Sequence, residues 1–323
     1  MSQMLTEPEL RSPARIVTVC VKGTPAKAAR GTARTTLLER VIQKIRDSGW
    51  NKLDAVVLPG GFFYSSEIGR ATYYGARRSS IEATAFSERF RRLCVALSPE
   101  SPGIAIIAGV DGPEGEQFSV AWRRTGVVGV ARKVFPTDDE AKGGLAADFE
   151  DFGCSHRCIA LSSGRTAVLC VCYDMFGLTE NPVHPGRRTA ILRTIESHGS
   201  VLRKGDAAFD ELRHRCIQQW DLLLRSRRPS VAIAAIHAFD RPGLDGFWQR
   251  HGIATASAVL NGGLALGAAH FRDCLPEPSH STLASTEVDK KHLGDASRRN
   301  ANRLQPEKAL FVDGTAIVRL FSA

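Results

Sequence analysis

The 323-residue chain has no apolar run long enough to cross a bilayer. Its longest, "SVAIAAIHAF" and "GIAIIAGV", reach about half of the roughly 20 residues that a spanning helix needs. The first residues, "MSQMLTEPELRSPAR", lack the basic patch and apolar stretch of a secretory signal, so we expect a cytoplasmic protein whose eight cysteines are reduced. Aromatics are scarce, at 7% of residues. The formal charge of +9 invites a nucleic-acid reading, but the basic residues are scattered as Arg-Arg pairs with acids between them. They read as a solvated basic surface, and no nucleic-acid or membrane partner is expected. No tandem repeat is visible. Nor does an internal composition break divide the chain, which reads as a tail over 1–13 and one domain over 14–323.

Hydrophobic residues make up 43% of the chain, ample for a core, and they are arranged in alternating strand and helix patterns. "ARIVTVCVKG" (14–23) predicts a first strand, and Leu37, Leu38, Val41, Ile42 and Ile45 a helix closed near Gly49. "LDAVVLPGG" (53–61) predicts a buried strand ending in a sharp loop. Ser79 and Glu82 have the capping-box spacing ahead of a second helix carrying Phe86, Phe90, Leu93 and Leu97. A strand over 103–112 and a hairpin turning at Thr125 and Gly126 follow, and a second hairpin spans 158–174. Beyond an inserted polar region near 185–229, which includes a helix over 208–226, come a strand at 230–239, a helix near 246–260 and a strand at 264–271. The segment 275–308 reads as a surface excursion, and Asp313-Gly314 as the turn of a closing hairpin. Strands alternating with helices in both halves, with several antiparallel hairpins, define an α/β chain.

The passage "RTAVLCVCYDMFG" (165–177) holds the main chemical candidate. Cys172 ends an apolar strand, where its sulfur is more accessible than that of Cys170 two positions earlier on the same face. Such a cysteine is either a small packing residue or a nucleophile. Cys154, His156, Cys158, Cys170 and Cys172 also invite a metal reading, but their spacings differ from the CxxC pairs of structural zinc sites. His237 and His270 lie on apolar strands and read as core or loop residues.

Three passages in order, "VVLPGG", a hairpin leading into "ARKVF", and a hairpin ending in "VLCVCYD", resemble the nitrilase, or carbon–nitrogen hydrolase, superfamily. "FWQRHGIATASAVLNGGLALGAAHF" resembles the part of the family beyond its nucleophile. The resemblance implies a four-layer α-β-β-α sandwich, a homodimer or larger homo-oligomer, no cofactor or metal, and a cysteine, lysine and glutamate acting on amides or nitriles. Cys172 matches the family's nucleophile and Lys133 its lysine. The cation would raise the thiolate fraction of a thiol whose ordinary pKa is about 8.5. It would also stabilise an oxyanion together with the backbone N–H of Tyr173. Asp174 reads as fixing the turn.

The departure is Gly60, which stands where the family places its general-base glutamate. Glu67, on the loop leaving the same strand, and Glu140, in "PTDDE", are the candidate replacements, although each also reads as a surface acid. Two functions follow from the resemblance: a cysteine-dependent hydrolase of amide or nitrile C–N bonds, or a catalytically impaired binding or regulatory protein that keeps the pocket.

Overall fold

The computed structural model describes residues 12–25, 31–66, 68, 74–113, 115–180, 186–239, 248–260, 263–271, 282–285 and 304–322. In the first half lie β1 (Arg15–Lys22), α1 (Gly31–Asp47), β2 (Ala55–Val57), β3 (Phe63–Tyr64), α2 (Tyr74–Glu82), α3 (Ala85–Leu97), β4 (Ala105–Asp111), β5 (Gln117–Arg123) and β6 (Gly126–Arg132). The middle of the chain forms α4 (Asp138–Lys142), β7 (Ala147–Asp148), α5 (Phe149–Gly153), β8 (Cys158–Ala160), β9 (Thr166–Val171), α6 (Arg187–Ile191), β10 (Thr194–Ser197), β11 (Ser200–Arg203) and α7 (Phe209–Arg227). The last part forms β12 (Val231–Phe239), α8 (Ala254–Val259), β13 (Leu264–Phe271), β14 (Thr282–Ser285), β15 (Lys308–Val312) and β16 (Ala316–Ser322).

Apart from β3, which pairs with β4, and a separate three-stranded sheet in the order β11, β10, β7, the strands form two halves. In one, β6, β5, β4, β2, β1, β16 and β15 are neighbours in that order; in the other, β8, β9, β12, β13 and β14 are. Strand pairing joins the halves where Val21 and Lys22 at the end of β1 meet His270 and Phe271 of β13. Three hydrophobic cores show how they stack. Ile16, Val57, Ile107 and Ala131 of the first half meet Leu169, Val171, Ile233 and Leu266 of the second in a core between the sheets. The opposite face of the first half is covered by α1 and α3 through Leu38, Val41, Phe90 and Leu97. Trp220 and Leu224 of α7, with Ala256 of α8, cover the outer face of the second. Two sheets buried on both faces, each with its own helix layer, make the four-layer α-β-β-α sandwich.

Local signals behave mostly as the sequence predicts. Asp313 and Gly314 both adopt positive φ, at 50° and 63°, in the turn between β15 and β16. The segment after the second strand differs. A break at Thr84 separates α2 from α3, and Ser79 lies inside α2 instead of capping a helix. The Thr84 and Ser87 hydroxyls each donate to the Ile81 carbonyl at 2.6 Å, satisfying the end of α2, while Glu82 is drawn to Arg78 at 3.0 Å. The helix placed near 246–260 is described from 248 and begins with a wide π-helical turn over Trp248–Ile253 before α8. Most of the excursion at 275–308 lies outside the described residues, as does the tail over 1–11; within the excursion, β14 pairs with β13.

The loop after β2 presses against β4 with no space to spare. Leu58 N–H donates to Ile107 O at 2.8 Å and Gly109 N–H to Pro59 O at 3.0 Å. A Cβ on Gly109 would fall 2.3 Å from Gly60 Cα and 2.6 Å from Pro59 O, both backbone atoms that cannot swing aside. Gly109→Ala should therefore lower stability by about 1–3 kcal/mol through overpacking, read as a lower urea midpoint. Gly143→Ala is the control: its nearest contacts are 3.4 Å and its φ is −71°, so the midpoint should move little.

Candidate active site

Five segments end at one edge of the sandwich, beyond the carboxyl ends of their strands, where α/β folds commonly gather their chemistry. β9 ends at Val171, and Cys172 begins a tight 3₁₀ turn over Cys172–Gly177. Its φ is +45°, a left-handed conformation uncommon for a residue with a Cβ. That turn is held by Asp174. This fully buried carboxylate accepts from the backbone N–H groups of Val134 and Phe135 at 2.9 Å each, from Val171 at 3.2 Å, and from Arg157 Nη1 at 3.3 Å. Burial pushes the Asp174 carboxyl up from the usual range, against the pull of Arg157 and the N–H donors. Asp174 thus clamps the Cys172 turn onto the strand extension that carries Lys133.

Lys133 follows β6 and is 1% exposed. Its ammonium donates to Glu140 Oε1 at 2.6 Å and to Gln117 Oε1 at 3.0 Å. Burial opposes its charge, but Cys172 and Glu140 outweigh that effect and hold its pKa above the ordinary lysine value. Glu140 belongs to the capping box of α4, with Oε2 accepting from Thr137 N–H at 2.7 Å, and Oε1 also accepts from Gln117 Nε2 at 2.7 Å. Burial would raise the Glu140 pKa; Lys133 and the hydrogen bonds bring it down to about 2.

Burial also disfavours the Cys172 thiolate, yet Lys133 and then the His237 imidazole bring its pKa below the ordinary thiol value. The contrast with other cysteines is clear. Burial pushes the Cys94 and Cys216 thiols up to about 12 and Cys158 to about 11, while Cys170, two residues from Cys172, is also raised. Tyr173 stacks on Phe176 with ring centroids 4.3 Å apart. Of the soft ligands near 154–172, His156 stacks on Tyr74, and no group of three His, Cys, Asp or Glu side chains suited to a metal forms among the described residues.

Position 60 holds the main surprise. The Gly60 N–H donates to Ile236 O at 3.0 Å, and a Cβ there would lie 2.6 Å from His237 Nδ1 and 2.9 Å from both Ala235 O and His237 N. The room vacated by a glutamate is not open to a ligand; β12 and its histidine fill it. His237 Nε2 pairs with Asp111 Oδ1 at 2.9 Å, and burial, which would lower its pKa, is outweighed by Asp111 and Cys172, which push it up to about 10. The structure therefore brings together Cys172, Lys133 and Glu140, together with His237, which the sequence predicts as a core or loop residue, and Asp111, which no sequence motif marks. Glu67 lies outside the described residues. The available signal was the pairing of a glycine at the family's glutamate position with a lone histidine in an apolar strand.

The four-layer sandwich is the fold of the nitrilase superfamily, and the chain shares it. It is similar to a crystal structure of an amidase from Nesterenkonia sp. at 16% identity and TM-score 0.50, covering 99% of this chain and 94% of that one. A cysteine-to-alanine variant of the amidase from Nesterenkonia sp. AN1, in complex with butyramide, aligns at 15% identity and TM-score 0.50 over 96% of this chain and 92% of that one. A cysteine-to-serine variant of that amidase, described as from the nitrilase superfamily, aligns at 15% identity and TM-score 0.49, over 97% and 93% of the two chains. No family model and no curated protein matches the sequence.

The Lys133–Glu140 pair has a pH signature. A carboxyl held at about 2 in the fold, against an ordinary 4.5, contributes stability that is complete above the unfolded value and is lost as pH falls toward about 2. That contribution is about 3 kcal/mol at most, because the pair is coupled and part-exposed. Glu140→Gln should lower stability at pH 7 and flatten the decline between pH 5 and pH 2, measured by urea unfolding across that window.

Proposed function

We propose that this chain is a cysteine-dependent hydrolase of the nitrilase superfamily, acting on the C–N bond of a small amide or nitrile through a thioester or thioimidate. The observation that carries this reading is a buried ammonium, Lys133, held charged by Glu140 and lowering the pKa of a half-buried strand-end thiol. Cys172 attacks the carbonyl or nitrile carbon. The Lys133 ammonium, supported by the Tyr173 N–H, stabilises the negative charge that develops on the substrate. Glu140 keeps Lys133 charged and placed. With its pKa near 2 and its oxygens engaged by Lys133, Gln117 and Thr137, it is a poor proton acceptor at neutral pH.

Gly60 favours a second reading, a binding protein that retains the pocket without turnover, and trapping of the covalent intermediate separates the two. Butyramide, bound by a Nesterenkonia sp. AN1 amidase variant, is a reasonable first substrate, with short nitriles beside it. Wild-type protein should release ammonia and show the acyl mass on the peptide containing Cys172, and Cys172→Ala should lose both. Saturable binding with no adduct and no ammonia across the panel would favour the binding protein. We also propose, on the family resemblance, that two copies pair in solution; light scattering should give twice the chain mass.

A further inference from the structure

We propose that His237, oriented by Asp111, is the acid–base group of this site and takes the position that the superfamily gives to a glutamate. This inference rests on the hydrolase reading for its chemistry, while the geometry behind it stands by itself. β12 lies beside β9 in parallel register, with Ala235 opposite Val171, so residues just beyond this level lie at the same end of the sheet as Cys172. Between Ile236 and Ala238 the pairing of β12 with β13 slips by one residue, a bulge centred on His237. Bulges next to active sites commonly re-aim a side chain. Here the bulge sets the ring of His237 beside Gly60, where a Cβ would approach Nδ1 to 2.6 Å. The glycine and the histidine are thus complementary: neither a glutamate nor an alanine at position 60 is compatible with this course of β12.

The two ring nitrogens have different surroundings. Nε2 is fixed by Asp111 Oδ1 at 2.9 Å, whereas Nδ1 has no nitrogen or oxygen partner among the described residues, and the imidazole interacts with the Cys172 thiol. An imidazole that interacts with a thiol on one side and is held by a carboxylate on the other is placed to exchange a proton with the sulfur. Asp111 ends β4, and a Cβ on Gly61 would lie 2.5 Å from its Oδ2, so small residues at both 60 and 61 make room for the pair. Cys172, His237 and Asp111 then form a nucleophile, base and orienting carboxylate, the arrangement that recurs on unrelated folds.

The proton balance closes. At rest, Cys172 is a thiolate and His237 an imidazolium. The sulfur attacks the amide carbon, forming the C–S bond and moving the carbonyl electron pair onto oxygen beside Lys133. As that pair returns, the C–N bond breaks and the Nδ1 proton passes to the leaving nitrogen, releasing amine or ammonia. The thioester now has no thiolate to hold the imidazolium, so His237 is a neutral base. It takes a proton from the attacking water, a C–O bond forms, the C–S bond breaks, and acid is released with thiolate and imidazolium restored. Charged or titratable groups influencing this pair are Asp111 from β4, Lys133 beyond β6 and Glu140 from α4. His270 of β13 is held well below the ordinary histidine range by burial, followed by the charges of Arg34 and His237.

The test reads thiol chemistry first and turnover second. Wild type, His237→Asn, His237→Gln and Asp111→Asn are alkylated with iodoacetamide from pH 4 to pH 10, and the Cys172 peptide is quantified by mass spectrometry. Circular dichroism screens each variant for folding. In wild type, the half-reaction pH of Cys172 should lie below that of an ordinary thiol; in the His237 variants it should rise by at least one unit, and Asp111→Asn should give a smaller rise. Where ammonia release is measurable, the His237 variants should lose about 10²-fold or more in kcat, and Asp111→Asn should shift the pH profile. A Cys172 profile unchanged in both folded His237 variants, or kcat unchanged in them, overturns the assignment. A shifted thiol profile with no hydrolysis by wild type keeps the Cys172–His237 pair and removes the hydrolase reading instead. If both His237 variants unfold, Asp111→Asn decides on the same thiol profile.

Discussion

The site depends on one buried carboxylate. Asp174 is completely enclosed, and it is tolerated there because three backbone N–H groups and Arg157 donate to it. Two of those donors belong to the strand extension after Lys133 and one to the residue before Cys172, so the carboxylate closes the distance between two segments that start on different sheets. Arg157 completes the clamp by donating to Leu169 O and to Arg132 O, and its guanidinium lies over the Trp220 ring at 4.6 Å. Removing one partner from a buried pair of this kind typically costs about 3–5 kcal/mol, because the other charge is left without compensation. Local backbone strain at Cys172 persists because this network over-determines the turn.

Around that clamp the charges are arranged in sequence. Glu140 is locked as an anion by α4's own capping geometry and by Gln117, and it holds Lys133 as a cation inside the protein. Lys133 in turn favours a thiolate at Cys172 where burial would otherwise suppress it. Each group's ionisation is a consequence of the next one; at Cys170, only two positions away, burial and the Asp174 carboxylate outweigh Arg157 and push the thiol up.

Gly60 is best understood through space. The backbone of β12 and the ring of His237 come so close to it that a side chain has no place there, and Gly109 permits the same loop to lie flat on β4. A missing carboxylate and a bulged histidine are then two sides of one packing solution, at the level where the two sheets present their strand ends.

The order of strands and helices and the turn at Asp313-Gly314 were legible in the chain because each depends on local periodicity or turn chemistry, and short motifs drew attention to Cys172 and Lys133. The break between α2 and α3 was not, since the Ser79 and Glu82 spacing is outweighed by hydroxyl bonds from Thr84 and Ser87. Glu140 could be singled out by position, but its bond to Lys133 depends on α4 folding back over the end of β6. His237 and Asp111 are separated by 126 residues and belong to different halves of the strand array. Nothing local marks either one. Only the packing of β12 against the loop at Gly60, with the bulge that turns the imidazole, makes them neighbours, because spatial proximity across two sheets is decided by tertiary pairing and leaves no spacing in the sequence to read.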